Sequence, residues 1–236
     1  MKVINLGEKN SLLNKFVAQM RDKGIQKDSQ RFRRNLERLG EIFAYEISQT
    51  LNYSEKQFVT PLGIANIGTP DDQIVVSTIL RAGLPLHQGI LNFFDGAQNA
   101  FVAAYRKYDK GEDFHINIEY ASTPDLTGKT LILADTMLAT GASLEIAYNR
   151  LCEEGEPAHT HLVCPIACND GTLEWVAPKL TQHVLHLWSD EVLFQGWFAL
   201  HLNVCPLSHP LAIDRYPVTP LVTPVILAVA FPLLAE

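Results

Sequence analysis

The sequence predicts an α/β fold, a central parallel sheet covered by helices on both faces. Three observations carry that expectation. Short, continuously apolar runs such as residues 73–80 (QIVVSTIL) and 129–134 (KTLILA) lack the alternation of a half-exposed strand, and read as strands buried on both sides. These runs alternate with stretches of helical period, the pattern of strand–helix–strand units. The chain has 236 residues, 47% hydrophobic and 19% charged, enough for one sizeable core and close to ordinary globular composition. A disordered, collagen-like or coiled-coil chain is excluded.

In order along the chain, residues 10–24 form the first predicted helix, with Leu12, Leu13, Phe16, Val17 and Met20 recurring at helical spacing. Residues 28–52 form a second, longer one. Asp28 or Ser29 caps it, and Phe32, Leu36, Leu39, Ile42, Phe43 and Ile47 make its apolar stripe. Arg31, Arg33 and Arg34 crowd its first turns, where the helix dipole disfavours positive charge; either a solvated face or an anion or subunit contact accounts for them. Strand 73–80 ends at the turn Arg81-Ala82-Gly83, and a helix follows over 84–94, with Pro85 near its start where proline is tolerated. Residues 99–105 (NAFVAAY) form the next strand, ending at Arg106. Residues 107–128 are polar and interrupted, with a strand at 114–121. Strand 129–134 runs directly into Asp135, a helix covers 143–154, and strands at 160–167 and 184–188 complete the pattern.

Charge and cysteine usage narrow the classes further. The net charge is −7, so the broad basic field of a nucleic-acid binder is missing and any bound anion is gripped locally. Four cysteines in a chain of this length are no disulfide framework. The first residues show no basic stretch followed by an apolar run, so no secretory signal is read and a cytoplasmic protein is expected. His159, His161, Cys164 and Cys168 cluster, but in an extended strand the two histidines share one face and Cys164 takes the other; no metal site is assigned.

The stretch that carries chemistry is 131–151. An apolar strand ends in an acid, a loop of small residues follows, and an amphipathic helix begins near Ser143. Small residues at such a bend let backbone N–H groups at a helix start approach an anion. Asp135 stands at the carboxyl end of its strand, where open α/β sheets bind ligands. No Gly-Lys-Ser/Thr follows this loop and the loop is not GxGxxG, so the usual ATP and dinucleotide motifs fail. Arg81 and Arg106 each follow a predicted strand at the same sheet edge. Two arginines and an anion cradle together suit a polyphosphate, and the acid among them suits a divalent metal or ribose hydroxyls.

At this point the sequence resembles a known family. Asp135-Thr136-Met137-Leu138-Ala139-Thr140-Gly141-Ala142-Ser143 resembles the loop that binds phosphoribosyl pyrophosphate (PRPP) in type I phosphoribosyltransferases, and its MLATG core resembles that of uracil phosphoribosyltransferase. Thr78 to Leu84 resembles the family's pyrophosphate loop, and Tyr105-Arg106 the arginine that opens its flexible arm. Arg31-Phe32-Arg33-Arg34, with Ala44-Tyr45-Glu46, resembles its N-terminal helix. The resemblance implies the phosphoribosyltransferase-type sheet flanked by helices, with N-terminal helices and a β-arm over 107–128. It implies that Ala139–Ser143 hold the 5-phosphate through backbone groups and the Thr140 and Ser143 hydroxyls. Asp135 would contact the ribose hydroxyls, and Arg81 and Arg106 the pyrophosphate, with Mg²⁺ bridging its oxygens. Thr136, Met137 and Leu138 complete the PRPP-binding run, and Asp135 and Arg106 are the expected catalytic residues. PRPP and uracil are the implied substrates, with no nucleic-acid or membrane partner, and a homodimer is expected. Thr136 replaces the proline usual in the family, a change of loop stiffness more than of chemistry.

The resemblance stops near residue 190. The family's uracil-binding segment, of the form Y-I-V-P-G-L-G-D-x-G-D-R, is not found after Trp188, so no residue is assigned to the base. Residues 195–236 carry Asp214, Arg215 and Glu236 as their charges and six of the chain's 13 prolines: Pro206, Pro210, Pro217, Pro220, Pro224 and Pro232. The expected division is therefore a phosphoribosyltransferase domain over 1–194 and an atypical hydrophobic, proline-rich tail over 195–236. Three readings stand for the tail: a frame-shifted or recombined end, a membrane anchor, or a divergent base-binding segment. The first is preferred, because the motif is lost abruptly and four prolines interrupt the uncharged run 216–235.

Overall fold

The structure, a computed structural model, describes residues 2–108, 114–138, 141–167 and 184–187. In chain order the elements are β1 (Lys2–Asn5), α1 (Leu12–Arg21), α2 (Ser29–Ser48), β2 (Tyr53–Thr60), β3 (Gly63–Pro70), β4 (Ile74–Leu80), α3 (Leu84–Leu91) and β5 (Gln98–Tyr108). They continue as β6 (Phe114–Ser122), β7 (Thr130–Ala134), β8 (Met137–Leu138), α4 (Ala142–Cys152), β9 (His159–Cys164), β10 (Ile166–Ala167) and β11 (Val184–Leu187). Among the described residues seven strands form one sheet in the order β1-β11-β9-β7-β4-β5-β6, while β8 with β10 and β2 with β3 form separate pairs. Every pairing in the large sheet is parallel except that of β5 with β6.

The continuously apolar strands are the ones covered on both faces. All five residues of β7 are buried. Leu131 and Leu133 pack with Leu144, Ala147 and Leu151 of α4. Ile132 and Ala134 pack on the other face with Leu36, Leu39 and Phe43 of α2 and with Leu86 and Ile90 of α3. One strand thus serves two cores, which is why its sequence shows no alternation.

The helices follow their predicted stripes. In α1 the Ser11 hydroxyl accepts the Leu13 N–H, and Leu13, Val17 and Met20 are buried while Leu12 faces out. In α2 the Asp28 carboxylate accepts the Arg31 N–H at 3.0 Å, and that bond is the first cause of its lowered pKa. Two residues of the basic run pair locally, Arg31 with the N-cap Asp28 at 3.5 Å and Arg34 with Glu37 at 2.6 Å, as a solvated face would. Deeper in α2, Gly40 meets Gly89 of α3. A Cβ at Gly40 would strike the Leu86 carbonyl, and one at Gly89 the Glu37 carbonyl, so the two backbones touch and only glycine fits either position.

Several elements differ from the sequence expectation. Residues 53–70 carry no element in the sequence reading yet form the β2–β3 hairpin. Its side chains are almost all exposed, so no buried face imposes the period of two that would betray a strand. The four residues of β1 are too few to show a period, and pairing with β11 makes them a strand. The single strand expected over 160–167 divides at Pro165, which has no N–H for a ladder, into β9 and β10. The strand expected to end at Arg106 continues to Tyr108: β5 loses β4 after Ala103 but stays paired with β6, with a register shift at Ala103/Ala104. The arm therefore starts inside β5, before residue 107. Cys168, Trp188 and the expected tail 195–236 lie outside the described residues.

Candidate functional site

Because β4, β5, β7 and β9 are parallel, their carboxyl ends open on one edge. Three segments arrive there. The first is the turn after β4. Arg81 is its first residue and is exposed, and the Leu80–Arg81 peptide is cis. The turn folds back on its own strand: Gly83 N–H donates to the Ile79 carbonyl at 3.3 Å, Leu84 N–H to the Arg81 carbonyl at 3.3 Å, and His87 N–H to the Gly83 carbonyl at 2.9 Å. Gly83 is buried, and a Cβ there would run into the Thr78 hydroxyl and the Ile79 carbonyl.

The second segment follows β7. The Asp135 N–H donates to the Val163 carbonyl of β9 at 2.9 Å, and the Asp135 carboxylate accepts the Thr136 N–H at 2.7 Å. Met137 and Leu138 form β8, which pairs in parallel with Ile166 and Ala167 of β10, and Leu138 is buried. This small ladder steers the chain away from the main sheet before the helix begins. Ala139 and Thr140 lie outside the described residues. Gly141 then takes φ +73°, the left-handed region that favours glycine, and stands as the N-cap of α4 with no side-chain cap. Ala142 and Ser143 open the helix, at the positive end of its dipole.

The third segment is the arm. Arg106 lies within it, opposite Ile116 and three residues past the last β4–β5 pair, Leu80–Ala103; its side chain lies outside the described residues. The Arg81 turn and the Asp135 segment are thus adjacent on neighbouring strands, with Thr136, Met137, Leu138, Gly141, Ala142 and Ser143 following Asp135.

Two neighbours of the site carry further information. Cys164, at the end of β9, is fully buried; burial pushes its thiol well above the ordinary value and the nearby Asp135 carboxylate adds to this, so it is an inert core thiol. Thr78 has no role in the sequence expectation beyond its place in the pyrophosphate-loop segment. Its hydroxyl donates to the Ala134 carbonyl at 3.0 Å in a fully buried position. The signal was present in the sequence as a polar pair, Ser77-Thr78, inside an otherwise apolar strand.

The comparison that decides the family is a profile described as Uracil phosphoribosyltransferase, which matches residues 8–193. The chain belongs to the uracil phosphoribosyltransferase family. A uracil phosphoribosyltransferase of Porphyromonas gingivalis is 49% identical over 197 residues, spanning 78% of this chain and 91% of the relative. One from Methanothermobacter thermautotrophicus is 35% identical over 153 residues, spanning 64% of this chain and 69% of the relative. A solved structure of an Aquifex aeolicus protein superimposes with a TM-score of 0.68 at 26% identity, covering 78% of this chain and 85% of that one. Arg81, Arg106 and the whole run from Asp135 to Ser143 fall inside the span that matches the uracil phosphoribosyltransferase profile. Among the described residues no helix is long and apolar enough to cross a membrane.

Proposed function

We propose that this member of the uracil phosphoribosyltransferase family transfers the phosphoribosyl group of PRPP to N1 of uracil, giving UMP and pyrophosphate. The observation that carries the reading is the juxtaposition, on one sheet edge, of the Arg81 turn, the Asp135 carboxylate and the glycine-led start of α4. In this reading residues Ala139 to Ser143, which lead into α4, hold the 5-phosphate, with the Thr140 and Ser143 hydroxyls assisting backbone N–H groups. Asp135 binds the ribose hydroxyls, and Arg81 and Arg106 hold the pyrophosphate that leaves C1. As the C1–O bond breaks, the sugar becomes cation-like and the leaving oxygens gain charge; Arg81 and Arg106 stabilise that charge where it develops. Closure of the β5–β6 arm keeps water from the activated sugar.

Mg²⁺ fits this site as a companion of the substrate. Among the described residues no three His, Cys, Asp or Glu side chains gather into a metal-holding group, and a single carboxylate, Asp135, stands in the site loop. One carboxylate plus diphosphate oxygens is a usual Mg²⁺ environment. When bound, the ion offsets part of the charge on the leaving group.

The division at residue 194, the cytoplasmic setting and a homodimer belong to the same proposal. The β2–β3 hairpin supports the last, since Val59, Leu62 and Ile64 expose 91%, 100% and 70% of their surface near its tip. A second reading, PRPP binding with little transfer, is favoured by the missing uracil-binding segment after Trp188. One assay separates the two: protein, PRPP, Mg²⁺ and labelled uracil, with UMP as the readout. The transferase reading expects labelled UMP. No UMP together with a PRPP-dependent rise in melting temperature favours the second reading, and neither signal overturns both.

A further inference from the structure

The proposed reaction breaks a bond between two groups that different loops hold. The ribose sits at Asp135 and the diphosphate at Arg81, so the spacing of those loops sets the geometry at C1. Displacements of about 1 Å in such geometry cost on the order of 100-fold in rate. One buried side chain touches both loops. The last registered pair between β4 and β7 is Thr78–Ala134, and there the Thr78 hydroxyl donates to the Ala134 carbonyl at 3.0 Å. That carbonyl belongs to the peptide unit whose N–H is Asp135's own, and this N–H donates to Val163 at 2.9 Å. The peptide leading into Asp135 is therefore pinned from both neighbouring strands, by a side chain on β4 and by the backbone of β9. Five residues along the chain from Thr78, Gly83 seats directly on the same hydroxyl, so closely that a Cβ would collide with it.

Resting on the proposed function above, we infer that Thr78 is a positioning residue that sets the spacing between the Asp135 segment and the Arg81 turn. A threonine suits the task. Its hydroxyl is the donor, and its methyl group fills the fully buried site. Its χ1 is restricted by β-branching, so the hydroxyl is held with little freedom. Valine would keep the shape and lose the donor, leaving the Ala134 carbonyl without that bond and the turn resting on a methyl group.

The test compares wild type, Thr78→Val and Thr78→Ser. The readouts are PRPP affinity by calorimetry in Mg²⁺ buffer, KM for PRPP and for uracil, kcat, and melting temperature. Thr78→Val is expected to weaken PRPP binding and kcat/KM for PRPP about 10-fold, with KM for uracil within twofold of wild type. Thr78→Ser, which keeps the hydroxyl, is expected to recover PRPP binding to within threefold. If Thr78→Val does not fold, Thr78→Ala is read by the same criteria. Wild-type PRPP affinity in the variant lacking the hydroxyl, or equal impairment in Thr78→Val and Thr78→Ser, overturns the positioning role. A wild-type protein with no PRPP affinity overturns the proposed function itself, and this inference with it.

Discussion

The two edges of the sheet are built from the same strands and treat polar groups in opposite ways. At the amino edge, the Asp72 carboxylate accepts the Asn52 N–H at 2.7 Å, the Asn52 side-chain amide at 3.4 Å and the Thr130 hydroxyl at 2.8 Å. Lys129 donates to Gln98 at 2.7 Å, and the Asp125 carboxylate accepts both the N–H and the hydroxyl of Thr127. This edge also carries a concavity of about 490 Å³, bordered by Asp72, Phe93, Asp95 and Lys129. At the carboxyl edge Arg81 is exposed, Gly83 and Gly141 hold positions no other residue fits well, and Asp135 begins a loop. The chemistry proposed above lies at the other edge, away from this concavity. Polar groups at the amino edge satisfy one another and stabilise the fold; those at the carboxyl edge are the ones the proposed function assigns to PRPP.

That contrast is open to direct attack. Asp135→Ala is expected to lower UMP formation and PRPP affinity by about 100-fold or more, with little change in melting temperature. The matched change at the other edge, Asp72→Ala, reverses the pattern. It removes the acceptor of a buried hydroxyl and a backbone N–H and is expected to cost about 2 kcal/mol in denaturant unfolding while leaving KM for PRPP unchanged. If both variants lose activity equally at equal stability, the division of labour is wrong.

Gly89→Ala tests what holds the Arg81 turn from behind. The added methyl meets the Glu37 carbonyl across the α2–α3 contact, and about 3 kcal/mol of stability should be lost, since backbone must move to admit it. A neutral Gly89→Ala in urea titration would show that α3 is free to shift, and with it the turn at its start.

Acid should act first through the amino half of β9. His161 is buried and its pKa is pushed down to about 4, by burial first and then by His159, with Asp72 opposing. His87 is lowered too, by burial, with the Asn99 hydrogen bond at 2.7 Å opposing. A histidine whose folded pKa is depressed keeps its contribution above its unfolded pKa, about 6.5, and loses it as the pH falls toward the folded value. Stability should therefore decline between about pH 6.5 and pH 4, with His161 accounting for up to about 3 kcal/mol. His161→Asn should flatten that part of the curve. An unaltered slope in thermal melts would remove His161 from the account.

The smallest effect belongs to the basic run of α2. Arg34→Ala breaks an exposed pair with Glu37 on the same helix and should change the melting temperature by less than the scatter of most measurements.

Much of this fold is legible in the amino-acid sequence. The continuously apolar runs announced strands buried on both faces, the stripes of α1 and α2 announced their packed sides, and the small residues between Asp135 and Ser143 announced the turn from β7 into α4. These features are local: each depends on residues close in sequence, so composition and spacing carry them. The hairpin of β2 and β3 escaped because it buries almost nothing, and the extension of β5 through Arg106 escaped because its partner, β6, is further along the chain.

What only the tertiary structure decided are the relations between distant segments. No spacing in the sequence says that the Thr78 hydroxyl reaches the Ala134 carbonyl, 56 residues away, or that Gly40 and Gly89 bring two helix backbones into contact. Those facts come from strand order and helix docking, which the summed burial of the whole core selects. The sequence by itself determined the chemistry available at Arg81, Arg106 and Asp135, because residue type fixes charge and donor capacity. Their placement on one edge required the sheet, because only parallel strands turn separate chain segments toward the same end.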